Sequence, residues 1–99
     1  MILEIAQIEV KPGMEAEFEA NVKKAVPIFQ RSNGCKAMSL RRSHETPQLY
    51  MLFVTWDTVE NHTKEFFGSD NWKEWRGLVG HCFAKPPNVG HVNEVLKGF

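Results

Sequence analysis

Between Trp56 and His91 the chain reads WDTVENHTKEFFGSDNWKEWRGLVGHCFAKPPNVGH, and this stretch holds all three tryptophans and three of the four histidines. Imidazole is the side chain whose charge changes near neutral pH, so it suits proton transfer. His62 is the first candidate for a general base, because it shares an apolar helical face with Val59 and Phe66. Its other reading is a core histidine hydrogen-bonded to backbone. His81 and His91 flank an aromatic and proline-containing segment, where they would orient a substrate oxygen or shuttle a proton. Arg76 either pins a phenolate or carboxylate or forms an ion pair with Glu74 or Glu60. Trp72 and Trp75 are three residues apart beside that arginine. One is expected to stack on an aromatic ligand and the other to pack in the core or at a subunit seam. His44 lies beside a turn and reads as an exposed side chain.

Composition narrows the chemistry by exclusion. Lysine plus arginine and aspartate plus glutamate both total 12, giving a net charge of zero, so no basic excess exists to bind nucleic acid. The apolar runs are too short to span a bilayer, and Met1-Ile2-Leu3-Glu4 reads as a strand, not a targeting segment, so the expected location is cytoplasmic. Cys35 and Cys82 have no CxxC or CxxH spacing and read as reduced, buried thiols. The histidines form no HxH or HxxxH pair, so no metal site is expected. Gly-rich phosphate loops and Ser/His/Asp sets are absent.

The elements that must position these residues follow from periodicity. Ile2 to Val10 is β-rich and ends at the turn Lys11-Pro12-Gly13. Met14, Phe18, Val22, Ala25, Val26 and Phe29 then form one helical stripe, with acidic residues early and basic residues late. Pro27 predicts a kink or an early end, and Asn33-Gly34 supplies the left-handed stop. Cys35 to His44 is a second strand. Gln48 to Trp56 is a third, with both faces apolar. One helical layer covers one face of a sheet, so the other face calls for a second copy of the chain, and a homodimer is expected. Asp57-x-x-Glu60 is set out as a capping box for the next helix. Gly68 ends that helix, Ser69 or Asp70 caps its continuation, and Gly80 closes it. Val89 to Leu96 makes the last strand. The single domain, residues 1–99, is therefore α+β: a ferredoxin-like βαββαβ chain with a four-stranded antiparallel sheet.

With that order in place, the chain resembles the antibiotic biosynthesis monooxygenase (ABM) family. The resemblance rests on the opening strand with Lys-Pro-Gly, the Asn-Gly-Cys entering the second strand and the Val-Thr-Trp ending the third. It is closest in VENHTKEF (59–66), SDNWKEWR (69–76) and PPNVGH (86–91). Family members are dimeric α+β barrels with a pocket between sheet and helices in each protomer. They include cofactor-independent monooxygenases, quinol oxygenases, haem-degrading enzymes and isomerases. The sequence departs from many relatives at Phe67, where arginine is common, and at Gly90 and Val92, where glutamate and tyrosine flank the histidine. Arg76 falls where the haem-degrading branch has its iron-ligating histidine, and Gln7 where that branch has asparagine.

The resemblance implies oxidation of an aromatic quinol or polycyclic phenol by O2 without a cofactor. His62, His81, His91 and Arg76 would act in catalysis. Trp56, Phe66, Trp72, Trp75, Phe53 and Gln7 would contact the substrate. An isomerase of a small metabolite, or a non-catalytic protein binding a small ligand such as haem, would use the same pocket.

Overall fold

A computed structural model describes residues 1–99. The order is β1 (Ile2–Glu9), α1 (Glu15–Gln30), β2 (Cys35–Arg42), β3 (Leu49–Trp56), a π-helix (Asn61–Phe66), α2 (Asp70–Val79), a short 3₁₀ turn (Gly80–Cys82) and β4 (Asn88–Val92). The four strands form one antiparallel sheet in the order β2-β3-β1-β4. This is the expected ferredoxin-like α+β arrangement, with the second helix broken in two.

Alternation divides the sheet into two chemically different faces. Ala6, Ile8 and Val10 of the first strand and its extension, with Tyr50, Leu52, Val54 and Trp56 of β3, are buried beneath the helices. Phe18, Val22, Ala25, Ile28 and Phe29 of α1 close over them. On the opposite face Leu3, Ile5, Met51 and Phe53 remain only half-buried. Gln7 shares that face, paired with Met51 and Asn88.

Three local expectations are corrected. Val26 lies at the exposed edge of the α1 stripe, and Ile28 takes its place in the core. The edge carrying Ile28 is the one that α2 covers, as the bond from Asn21 Nδ2 to the Leu78 carbonyl (2.8 Å) shows. The helix also continues past Pro27 to Gln30, because Pro27 sits on the solvent side. The last strand stops at Val92 instead of Leu96, since its partner β1 is exhausted at the Leu3–Val92 pair. Val95 and Leu96 are consequently exposed.

The entry to the second helix is capped one residue later than Asp57-x-x-Glu60 suggests. Thr58 Oγ1 accepts from the Asn61 amide (3.2 Å), and Asn61 Oδ1 accepts from the Thr58 amide (3.0 Å), a reciprocal capping box. The Asp57 amide instead donates to the Gly34 carbonyl (2.8 Å), and the Asp57 carboxylate pairs with Lys36. Ser69 caps α2 as expected, accepting from the Trp72 amide at 3.4 Å. No helix is long and apolar enough to cross a membrane.

Candidate functional site

Between the helical layer and the sheet lies a cavity of about 260 Å³. Its apolar walls come from Ala6, Ile8 and Leu52 of the sheet, Phe29 of α1, and the rings of Phe66, Phe67, Trp72, Trp75 and Phe83. Pro86, Pro87 and Val89 of the final segment complete the rim, and the charged or titratable groups are Glu4, His62 and Arg76. Trp72 and Trp75 both line it. Trp75 reaches the cavity from the core, packed edge-on against Phe29 (centroids 5.0 Å apart), while Trp72 reaches it from the mouth.

The π-helix sets the position of His62. Its wider turn places the Phe67 amide against the His62 carbonyl (3.3 Å), five residues back, and brings the Phe67 ring over the imidazole (centroids 4.7 Å). The imidazole also stacks on Trp56 (5.3 Å, planes 19° apart). Phe67, at the position where many relatives carry arginine, therefore packs against His62 and also meets Trp72 edge-on.

Both nitrogens of that imidazole are engaged. Nε2 lies 3.3 Å from Glu4 Oε1, and Nδ1 lies 2.8 Å from His91 Nε2. Trp56 Nε1 donates to the same Glu4 oxygen at 3.0 Å. With the hydrogen on Nε2, facing the carboxylate, Nδ1 of the neutral ring is the acceptor and His91 Nε2 the donor; the opposite tautomer reverses those roles. Burial lifts the Glu4 carboxyl to about 7, opposed by the Trp56 hydrogen bond. Burial, with the neighbouring His91, lowers His62 to about 4. Their usual order of basicity is thereby inverted.

Residue pattern singled out the histidines and passed over Glu4, although a signal existed. Glu4 shares its alternation class with Ile2, Ala6, Ile8 and Val10, so a carboxylate stands alone in the buried register of β1. The other candidates divide cleanly. His62, Arg76, Phe66, Trp72 and Trp75 line the cavity. Trp56 and His91 stand behind His62, Trp56 wholly buried and His91 half-buried. His81 lies on the surface against Glu17 and beside Cys82, whose donor atoms all fall within 4.8 Å of one another, and it does not reach the cavity. Gln7 and Phe53 project from the opposite sheet face, where the Arg41 guanidinium covers Phe53 at 5.4 Å. Their alternation class puts them there. Cys35 and Cys82 are free thiols.

Arg76 forms no ion pair with Glu74 or Glu60. Glu74 is taken by Arg31 (2.5 Å), and the Arg76 guanidinium rests on the rings of Phe83 (5.1 Å) and Trp72 (5.6 Å). It stands at the cavity wall as a cation without a carboxylate partner. Replacing it by alanine is expected to lower kcat/KM for a phenolic substrate about 10- to 100-fold. That is the range for losing one charge-assisted hydrogen bond, and steady-state kinetics would measure it.

A ring-lined cavity under a split second helix, on a four-stranded antiparallel sheet, defines a small ferredoxin-like α+β domain. The antibiotic biosynthesis monooxygenase family model matches residues 1–78, and the chain belongs to that family. It is similar to a Bordetella bronchiseptica protein described as a candidate antibiotic biosynthesis monooxygenase, at 54% identity and a TM-score of 0.95 over 96% of this chain and 97% of that one. It is 36% identical to the uncharacterised Bacillus subtilis (strain 168) protein YczJ, over 96% of this chain and 100% of that protein. SnoaB from Streptomyces nogalater, a cofactor-independent oxygenase whose structure was solved as a mutant, shares the fold with a TM-score of 0.79, at 15% identity over 98% of this chain and 95% of that one.

Proposed function

We propose that this protein is a cofactor-independent monooxygenase that oxidises a small aromatic quinol or phenol with O2 inside the cavity. The observation that carries this reading is the buried Glu4 carboxyl, pushed up to about 7 by that burial, at a cavity walled largely by aromatic rings. Cofactor-free oxygenation needs a substrate whose anion can itself reduce oxygen, so the protein must supply a base, a dry cavity and a partner for the anion. The Glu4–His62–His91 chain, the aromatic lining and Arg76 meet those three needs. The family assignment and the activity of SnoaB on the same fold support the reaction class.

The cavity volume favours the smaller of the two expected substrate types. Pockets for drug-sized ligands run from ~300 to 1,000 Å³, and 260 Å³ lies just below that range. A one- or two-ring quinol fits this better than a polycyclic phenol. In the presence of ¹⁸O2 the quinone product is expected to carry one labelled oxygen, the other leaving as water. Consumption of no oxygen, with substrate isomerised or merely bound, would replace this reading by the isomerase or the binding protein.

The half-buried Leu3, Ile5, Met51 and Phe53 support a homodimer closed through this face. An arginine in place of Ile5 would set a charge at the centre of that interface. Sedimentation of Ile5→Arg is expected to give the 11.4 kDa monomer at micromolar concentration, where the wild type sediments at twice that mass. A wild type already monomeric there would contradict the dimer.

A further inference from the structure

We propose that Glu4, through Oε2, is the group that removes the substrate's phenolic proton and returns it to the departing oxygen, with His62 and His91 positioning that carboxyl. The proposal rests on the monooxygenase reading and assigns its base to a residue other than the histidine that the sequence favours.

Hydrogen-bond occupancy decides between the two. His62 Nδ1 is bonded to His91 and Nε2 lies against the Glu4 carboxylate at 3.3 Å, so both ring nitrogens are turned to the protein. Glu4 Oε1 accepts from Trp56 and lies against His62 Nε2. Oε2 accepts no bond from the protein. Every side-chain nitrogen or oxygen shut away from solvent has a partner, so Oε2 is open, and the space that Glu4 borders is the cavity. A proton can bind Oε2 without breaking the Trp56 bond at Oε1, so that bond survives both charge states. The inverted basicity agrees with this, the buried carboxylate being a stronger base than the buried imidazole.

The chemistry closes without another reactant. Transfer of the phenolic proton to Oε2 leaves a phenolate, which passes one electron to O2. The phenoxyl radical and superoxide join at a ring carbon, and the resulting peroxide takes the proton back from Glu4. The O–O bond then breaks as the ring C–H proton is lost, giving a quinone and one water. The groups facing Glu4 are His62 from the π-helix, Trp56 from β3, His91 as its cross-strand partner on β4 and Arg76 across the cavity, with Cys35 of β2 near enough to feel its charge.

The test compares the pH dependence of kcat/KM for oxygen uptake with a two-ring quinol in wild type, Glu4→Gln and His62→Phe. Wild type is expected to rise with pH to a plateau near pH 7. Glu4→Gln, which keeps the acceptor for Trp56, should lose about 100-fold or more of the plateau value together with the titration near 7. His62→Phe should lose less and keep a titration of its own. Thermal melting of each variant would establish that it folds. Equal profiles for wild type and Glu4→Gln, or loss of the titration in His62→Phe alone, would overturn the assignment. No oxygen uptake by wild type with any quinol or phenol would overturn the oxidation on which it rests.

Discussion

Glu4→Gln is expected to be more stable than wild type by about 3 kcal/mol at pH 8, and by little at pH 4.5. The Glu4 carboxyl rises from 4.5 to about 7 on folding, so the folded state holds its proton more tightly than the unfolded chain does. Its stabilising contribution is complete below 4.5 and is lost as pH rises through about 7, each tenfold change in proton affinity being worth ~1.4 kcal/mol. Glutamine imitates the protonated form at every pH and keeps that contribution. His62 has the opposite dependence. Its folded value falls from 6.5 to about 4, so its contribution is present above 6.5 and is lost as pH falls through about 4. In the wild type the two slopes oppose each other between about 4.5 and 6.5, giving a nearly flat stability profile there. In Glu4→Gln only the histidine slope remains, and stability should climb across that interval. Urea denaturation at several pH values would measure both curves. A constant difference between wild type and variant would show that Glu4 does not change its proton affinity on folding. The carboxylate thus lowers stability at neutral pH where a neutral amide would not, a common signature of a functional group.

The second large effect belongs to Gly34. Its φ is +79°, in the left-handed region, and a Cβ built there would lie 2.2 Å from Asn61 Oδ1. Gly34→Val would add left-handed strain and displace the asparagine that completes the Thr58 capping box. Left-handed backbone costs ~1–3 kcal/mol and a lost cap ~0.5–2 kcal/mol, so a total near 3 kcal/mol is expected. At ~4–8 °C per kcal/mol for a domain of this size, Tm should fall by roughly 10–20 °C. The damage would reach the site, because the capped turn leads directly into the π-helix that carries His62. Calorimetry gives the first effect. A fall of less than a few degrees would show that Asn61 moves aside freely and that the cap contributes little.

Much of the architecture was legible because each element carried its own signal. Helical spacing from Phe18 to Phe29, the two apolar faces of β3 and the serine before α2 each pointed to one local structure, and the βαββαβ order followed. Helical spacing also led to His62, Phe66 and Arg76, which the structure places at the cavity wall. Gln7 and Phe53 lie elsewhere, and strand alternation, applied strictly, already pointed them away from the helices. Glu4 was legible by the same rule, as the one charged residue in a buried register.

The remaining features lay outside local pattern. A π-turn is not encoded in a period of 3.6 residues, so the packing of Phe67 against His62 required the structure. The capping box shifted to Thr58 because Asp57 is claimed by Gly34 and Lys36, residues distant in sequence. The surface placement of His81 likewise depends on Glu17 of α1.

The central claim, a cofactor-free oxidation driven by the buried carboxylate, is tested most directly by the pH profile of kcat/KM for oxygen uptake with a two-ring quinol, corrected for uncatalysed oxidation. A rise of about tenfold per pH unit below pH 7 and a plateau above it are expected, the form for a base titrating there. A profile already flat from pH 5 upwards, as a base titrating at the His62 value of about 4 would give, or no uptake above the uncatalysed rate, would contradict it.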